Sequence, residues 1–269
     1  MVALSRAARA RKFAARYGPW AVVTGATSGL GLELVLELAR RGLNLVLVAR
    51  SNSSLDSLAK NLSEEQGVET RVIAADLCDP SLVEKLLGSI ADLDVGLFIG
   101  AAGFGTSGLF SESKAEVELA MVDLNCRAGT AMTHHFSRRF RERGKGGLVL
   151  FSSLVAFQGV PYSAHYSATK AYVQTLAEAL YVELKPHGVD VLSVAPGPVH
   201  TGFAQRAGLT MGLAMKPQGM GAVILGNLGR RALVRPGWLS QALELALTPL
   251  PRWARVRMMG IIMRGMVLD

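Results

Sequence analysis

A chain of 269 residues, half of them hydrophobic and with no apolar run near the ~18 that cross a bilayer, predicts one large α/β domain rather than a disordered or membrane-spanning protein. The formal charge of +8 does not make it a nucleic-acid platform: Arg6, Arg9, Arg11, Lys12, Arg16, Arg252, Arg255, Arg257 and Arg264 lie at the two ends, and without these bases and Asp269 the body holds 20 bases and 20 acids. Cys78 and Cys126 lie far apart without metal-ligand spacing, which excludes a disulfide framework and reads as two small buried residues in a reducing compartment.

In chain order, the β-rich run of residues 20–24 is followed by Gly25-Ala-Thr-Ser-Gly-Leu-Gly31 and an apolar helical stretch to Arg41. Residues 44–49 are almost continuously apolar, as in a strand covered on both faces. The alternation continues with a helix near 54–66, strand 69–75, helix 80–92, strand 95–99, helix 113–142, strand 147–152, helix 163–185 and strand 189–195. This pattern predicts a parallel, doubly wound, Rossmann-like sheet with helices on both faces. After Pro196, residues 198–221 are rich in Gly and Met and read as an irregular substrate lid following the sixth strand. A helix over 217–229, a last strand over 231–235 and a terminal helix from Leu239, broken at Pro249 and Pro251, complete the chain. Beyond Trp253 the apolar residues keep to no single helical face. The expected division is a basic segment 1–17, a catalytic domain 18–237 and a basic extension 238–269.

Ligands of such sheets bind beyond the carboxyl ends of the strands. Gly25 permits a tight strand exit, Gly29 a close backbone approach to a pyrophosphate, and Gly31 close packing of the helix whose N-terminus faces the phosphates. The spacing is G-x-x-x-G-x-G rather than G-x-G-x-x-G, so placement between strand and helix carries the argument. At the end of the second strand, where an acid would hold the ribose of NAD, stand Ala49, Arg50 and Ser51. A guanidinium there suits a 2′-phosphate and predicts NADP(H); its bland alternative is a surface charge. Asp76 is placed to accept from an adenine amino group, or else to cap the helix beginning near Pro80.

Tyr166-Ser-Ala-Thr-Lys170 puts Tyr166 and Lys170 on one helical face. A free tyrosine has a pKa of about 10. A nearby ammonium lowers it and makes the hydroxyl a usable proton donor or acceptor. Ser153, at a strand end, is placed to hold a substrate oxygen. A Tyr-x-x-x-Lys pair alone is common on helices; the pair, the serine and the glycine loop together are far more specific.

Over residues 18–235 the chain resembles the short-chain dehydrogenase/reductase family in its single-domain branch. The matching segments are Thr24 to Gly31, Asp76, Asn125 in Asp-Leu-Asn-Cys-Arg, Ser152-Ser153, Tyr166 to Lys170, and Pro196 to Thr201. The resemblance implies a tetrad in which Asn125 holds a water near Lys170, Ser153 binds the carbonyl oxygen, Tyr166 transfers the proton, and Lys170 binds the nicotinamide ribose and tunes Tyr166. It also implies cofactor contacts from Gly25, Thr27, Ser28, Gly29, Leu30, Gly31, Arg50, Asp76, Leu77, Ala102, Val199 and Thr201. One segment departs from the family: Gly100-Ala101-Ala102-Gly103 stands where Asn-Asn-Ala-Gly is usual, which removes two bracing side chains.

The implied activity is NADP(H)-dependent interconversion of a carbonyl and an alcohol. Phe104, Phe157, Tyr162, Phe203, Leu209, Met211 and Met215 fall in segments the family uses around the substrate, which would make that substrate apolar; their bland alternative is ordinary core. A non-catalytic NADP-binding sensor on the same scaffold is the competing reading, opposed by the intact tetrad; longer epimerases and dehydratases rank below it. No metal site and no nucleic-acid partner are expected. The helices over 113–142 and 163–185 resemble the family's four-helix interface, with Ala168, Ala171, Ala177 and Ala179 as small contact residues, and predict a homodimer or homotetramer. A cytoplasmic protein is expected. Its basic ends are either solvated tails or weak contacts with an anionic membrane surface.

Overall fold

The Val- and Leu-rich runs form the centre of the molecule. Strands β1 (Trp20–Thr24), β2 (Asn44–Ala49), β3 (Thr70–Ala74), β4 (Val95–Gly100), β5 (Gly146–Phe151), β6 (Val189–Val194) and β7 (Leu233–Val234) build a seven-stranded sheet in the computed structural model, which describes residues 6–210 and 212–267. The order is β3-β2-β1-β4-β5-β6-β7, and every pairing is parallel. Side chains alternate between two cores: Val23 and Leu47 join one, Val22 and Val46 the other. Helices α2 (Gly29–Arg40) and α3 (Asn52–Gln66) cover the first face with Leu34, Leu38, Leu55 and Leu62. Helices α4 (Pro80–Ser89), α6 (Gly129–Arg143) and α7 (Ala164–Leu184) cover the second with Val83, Phe136, Phe140 and Leu184. Strand order reverses between β1 and β4, which opens a crevice at their carboxyl ends.

Three places differ from the sequence reading. The long helix over 113–142 is α5 (Ala115–Val122), a π-helical turn Asp123–Ala128 and then α6, so the ladder is widened at Asn125. The basic N-terminal stretch contains α1 (Arg6–Tyr17). Phe13 and Tyr17, one turn apart, enter the first core, and Arg16 and Tyr17 each bind Asp190 at 2.6 Å. The irregular segment after β6 contains the short α8 (Gly202–Arg206), and α9 (Met220–Asn227) is shorter than its expected span. As expected, the terminal stretch is helical and broken around Pro249 and Pro251, forming α10 (Trp238–Leu247) and α11 (Arg252–Arg264), whose Leu247, Met259 and Met263 make a third small core with Val160. Among the described residues no helix is long and apolar enough to cross a membrane. Both cysteines are free thiols and only half-buried.

Candidate active site

One cleft of about 760 Å³ runs from Arg50, past the glycine loop, to a chamber of methionines. At the first end, Gly25 and Gly29 have φ of +68° and +57°, which L side chains rarely adopt. A Cβ on Gly31 would fall on the carbonyl oxygen of Gly25, and one on Gly29 would lie 3.2 Å from the Thr201 methyl. The loop is thus a cradle bounded by backbone on one side and by Thr201 on the other. Ser28 sits at the N-cap of α2 but makes no side-chain capping bond, and Thr27, Ser28 and Leu30 face the cleft with the three glycines.

Arg50 projects from the end of β2 into the same cleft, exposed and without an acid in ion-pair range among the described residues. Asp76 accepts from the Cys78 amide at 3.1 Å, and the cap of α4 is Asp79, which accepts from Ser81 N at 2.8 Å. The capping role considered for Asp76 therefore belongs to its neighbour, and its carboxylate lies along the cleft beside Leu77 and Ala102. Glycines that leave no room for a Cβ, orphan helix amides and an unpaired guanidinium fit a pyrophosphate with a phosphorylated ribose. That is the donor set NADP(H) requires.

Deeper in the cleft, Ser153, Tyr166 and Lys170 meet Gly103 and Phe104. Ser153 caps the 3-10 turn Leu154–Phe157, accepting from Val155 N at 3.4 Å. The Tyr166 ring packs on Phe203 at 5.2 Å between centroids, and the bare backbone of Gly105 lies against it. Lys170 is buried, donates to the Phe151 carbonyl at 2.9 Å and holds its Nζ 5.7 Å from the centre of the Tyr166 ring. Burial lowers its pKa to about 8. Burial also holds the Tyr166 phenol above its usual range, with a hydrogen bond to Ser153 pulling the other way. The Lys170 ammonium is directed to the Phe151 carbonyl, and burial is the larger influence on the phenol.

Asn125 and Lys170 both line a small cavity beside the cleft, and hydrogen bonds hold the asparagine in place. Its Nδ2 donates to the Phe104 carbonyl at 2.9 Å and to Thr169 Oγ1 at 3.1 Å, and its Oδ1 accepts from Phe104 N at 3.2 Å. The π-helical turn thus serves to pin the loop after β4. On the opposite wall, Val199 pairs with Met215 as a short parallel bridge, and Gly197 N donates to Ser240 Oγ at 2.8 Å, which fastens the Pro196–Pro198 loop to α10. His165, next to Tyr166, turns to Glu118 at 2.6 Å.

The sequence profile of the short chain dehydrogenase family matches residues 19–211. The chain belongs to that family. It is 34% identical over 189 residues to a 7β-hydroxysteroid dehydrogenase of Clostridium sardiniense, covering 70% of this chain and 72% of the relative. It is 39% identical over 194 residues to a very-long-chain 3-oxoacyl-CoA reductase of Podospora anserina, covering 70% of this chain but only 57% of that reductase. Among solved structures, one from work on 7β-hydroxysteroid dehydrogenase stereoselectivity superposes with a TM-score of 0.85 at 26% identity, over 92% of this chain and 98% of that one. A short-chain dehydrogenase from Sphingobium yanoikuyae in complex with NADPH gives 0.78 at 30% identity, over 87% and 97%.

Within this family of alcohol–carbonyl oxidoreductases, the departure at Gly100-Ala101 has a structural answer. A Cβ on Gly100 would lie 3.4 Å from the Phe98 ring, which stacks on Phe136 at 4.8 Å. Thr24 Oγ1 spans β1 and β4, donating to Ile99 O at 3.4 Å and accepting from Ala102 N at 3.1 Å. An aromatic stack and a threonine hydroxyl thus brace the place where the family uses asparagines.

Of the expected substrate-lining residues, Phe104, Phe203 and Leu209 face the cleft. Phe157 lies under Arg235, Tyr162 packs in the third core, Met215 abuts Gly237, and Met211 lies outside the described residues. The sequence reading missed Leu243, Leu247, Met258, Met259, Ile262, Met263 and Met266, which the C-terminal helices and the turn after α11 bring to the chamber. The spacing Met259–Met263–Met266 was the available signal, since it defines one inward face.

Proposed function

We propose that the chain is an NADP(H)-dependent oxidoreductase that interconverts an apolar ketone or aldehyde and its alcohol, with Tyr166 as proton donor and acceptor. The observation that carries this is the convergence of Ser153, Tyr166 and Lys170 between the glycine cradle and the apolar chamber. Gly25, Thr27, Ser28, Gly29, Leu30, Gly31, Arg50, Asp76, Leu77, Ala102, Val199 and Thr201 hold the cofactor. When bound, NADP(H) supplies or accepts the hydride. Ser153 holds the substrate oxygen. In reduction the carbonyl π-pair moves to that oxygen, which takes the Tyr166 proton; in oxidation the proton returns. Near neutral pH the phenol is protonated, which is the form that donates in reduction. Screening carbonyl compounds for NADPH oxidation tests the reading directly. A sensor would bind NADPH and turn over none of them.

Arg50→Ala selects between cofactors. Its loss raises the NADPH dissociation constant about tenfold or more, from the ~1.5–3 kcal/mol of a charge-assisted hydrogen bond, and leaves NADH binding unchanged. Titration of both cofactors checks this; equal affinities for NADPH and NADH in the parent protein overturn it.

The assembly is a homodimer or homotetramer through the α5–α6 stretch and α7. These helices expose Val117, Leu119, Tyr172 and Val182, and Ala168 and Ala179 also face outward, whereas Ala177 is in the core. Light scattering at micromolar concentration reads the mass, and a monomer contradicts it.

A further inference from the structure

Helix α11 has two apolar sides. Met259, Met263 and Met266 turn inward to the chamber. Trp253, Arg257, Ile261 and Arg264 follow at intervals of four, four and three, so they share the opposite face. That face is uncovered: Trp253 is 64% and Ile261 76% exposed. Between the two sides lie Met258 and Ile262, each 39% exposed and each also lining the cleft. The rim of the substrate chamber therefore runs directly into the uncovered face of α11.

The charge on this helix identifies the partner. Arg257 and Arg264 are exposed on this face, the helix also carries Arg252 and Arg255 and no acid, and no carboxylate lies in ion-pair range of any of the four among the described residues. Arg257 stacks on Trp253 at 5.4 Å, a pairing that keeps an aromatic ring and a cation together at one depth. A symmetric contact with a second copy would bring these arginines against their own equivalents. An anionic lipid surface instead neutralises them and accepts the exposed indole and isoleucine at headgroup level.

We propose that the outward face of α11 docks on an anionic membrane surface and turns the rim at Met258 and Ile262 toward the lipid, so that apolar substrate enters the chamber from the bilayer. The attachment lies in the interface plane and combines charge with shallow apolar insertion, which differs from the purely ionic tether that basic tails would give. The entry route rests on the oxidoreductase reading; the docking does not, and its test needs no turnover.

The experiment is sedimentation of the full chain with phosphatidylcholine vesicles, with and without phosphatidylglycerol, at low and high salt. The parent protein is expected to bind the anionic vesicles and to keep part of that binding at high salt. Trp253→Gln with Ile261→Gln should lower vesicle affinity at least about tenfold and abolish the salt-resistant part, with melting temperature and NADPH binding unchanged. Neither residue lines the cleft. Arg257→Gln with Arg264→Gln should remove the preference for anionic lipid. With a substrate found by the screen, the apolar double variant should slow turnover of vesicle-embedded substrate and not of the same compound in detergent. Failure of the parent to bind anionic vesicles overturns the docking, as does equal binding by the apolar double variant. A fall in oligomer mass in that variant, without any vesicle binding by the parent, also overturns it and assigns the face to a second copy. Intact docking with equal turnover from vesicles and detergent overturns the entry route alone.

Discussion

Tyr166→Phe lowers kcat by about 10²–10⁴-fold, the usual contribution of a positioned general acid, and leaves NADPH affinity nearly unchanged. The substitution removes one hydroxyl. The ring keeps its packing on Phe203 and on the Gly105 backbone, so the wall of the cleft keeps its shape. The glycine cradle lies at the other end and is untouched. What is lost is the proton for the oxygen that gains charge as the carbonyl is reduced. Lys170→Ala gives a different pattern. It leaves the Phe151 carbonyl without its buried donor and removes the cation expected at the nicotinamide ribose, so turnover and cofactor binding fall together. Cofactor titration and turnover on both variants separate the two roles. Near-normal turnover in Tyr166→Phe reduces the Tyr-x-x-x-Lys pair to helix packing.

The sheet was legible because its strands are buried on both faces and therefore read as unbroken apolar runs, as in Leu45 to Val48. The cradle was legible because Gly25, Gly29 and Gly31 stand between a strand and a helix. Other features carry weaker signals. The π-helical turn at Asp123–Ala128 widens the helical ladder without breaking its apolar pattern, so the sequence shows one long helix. In α1, arginines surround Phe13 and Tyr17 and hide a two-residue apolar stripe that finds its core only in three dimensions. The C-terminal helix fails the amphipathic test for the opposite reason. Its inward methionines and its outward Trp253 and Ile261 serve two surfaces, so no single stripe emerges. Asp76 and Asp79 are both plausible caps by composition, and only the amide geometry at Ser81 chooses between them.

Gly31→Ala removes the cradle. A Cβ at this position falls on the Gly25 carbonyl oxygen, and that atom is backbone, not the movable end of a side chain. The loop cannot retreat toward β4, because Gly25 has a φ of +68° and an added Cβ on it would already lie 3.0 Å from Ala102 N and 3.1 Å from the Ala101 carbonyl. The displacement passes to α2, whose Leu34 and Leu38 are fully buried in the first core. Overpacking of this kind costs about 1–3 kcal/mol, so the melting temperature falls. The larger effect is on binding, since the amides at the head of α2 move away from the pyrophosphate they are placed to hold. NADPH affinity should drop more than about tenfold, a loss above ~1.4 kcal/mol. Gly226→Ala is the control. Gly226 lies exposed inside α9 with nothing within 4 Å of an added Cβ, so alanine there should hold or raise the melting temperature, by up to about 1 kcal/mol of helix propensity, and leave NADPH binding alone. If Gly31→Ala binds NADPH as the parent does, the loop before α2 is plain turn chemistry and the cofactor must be held elsewhere.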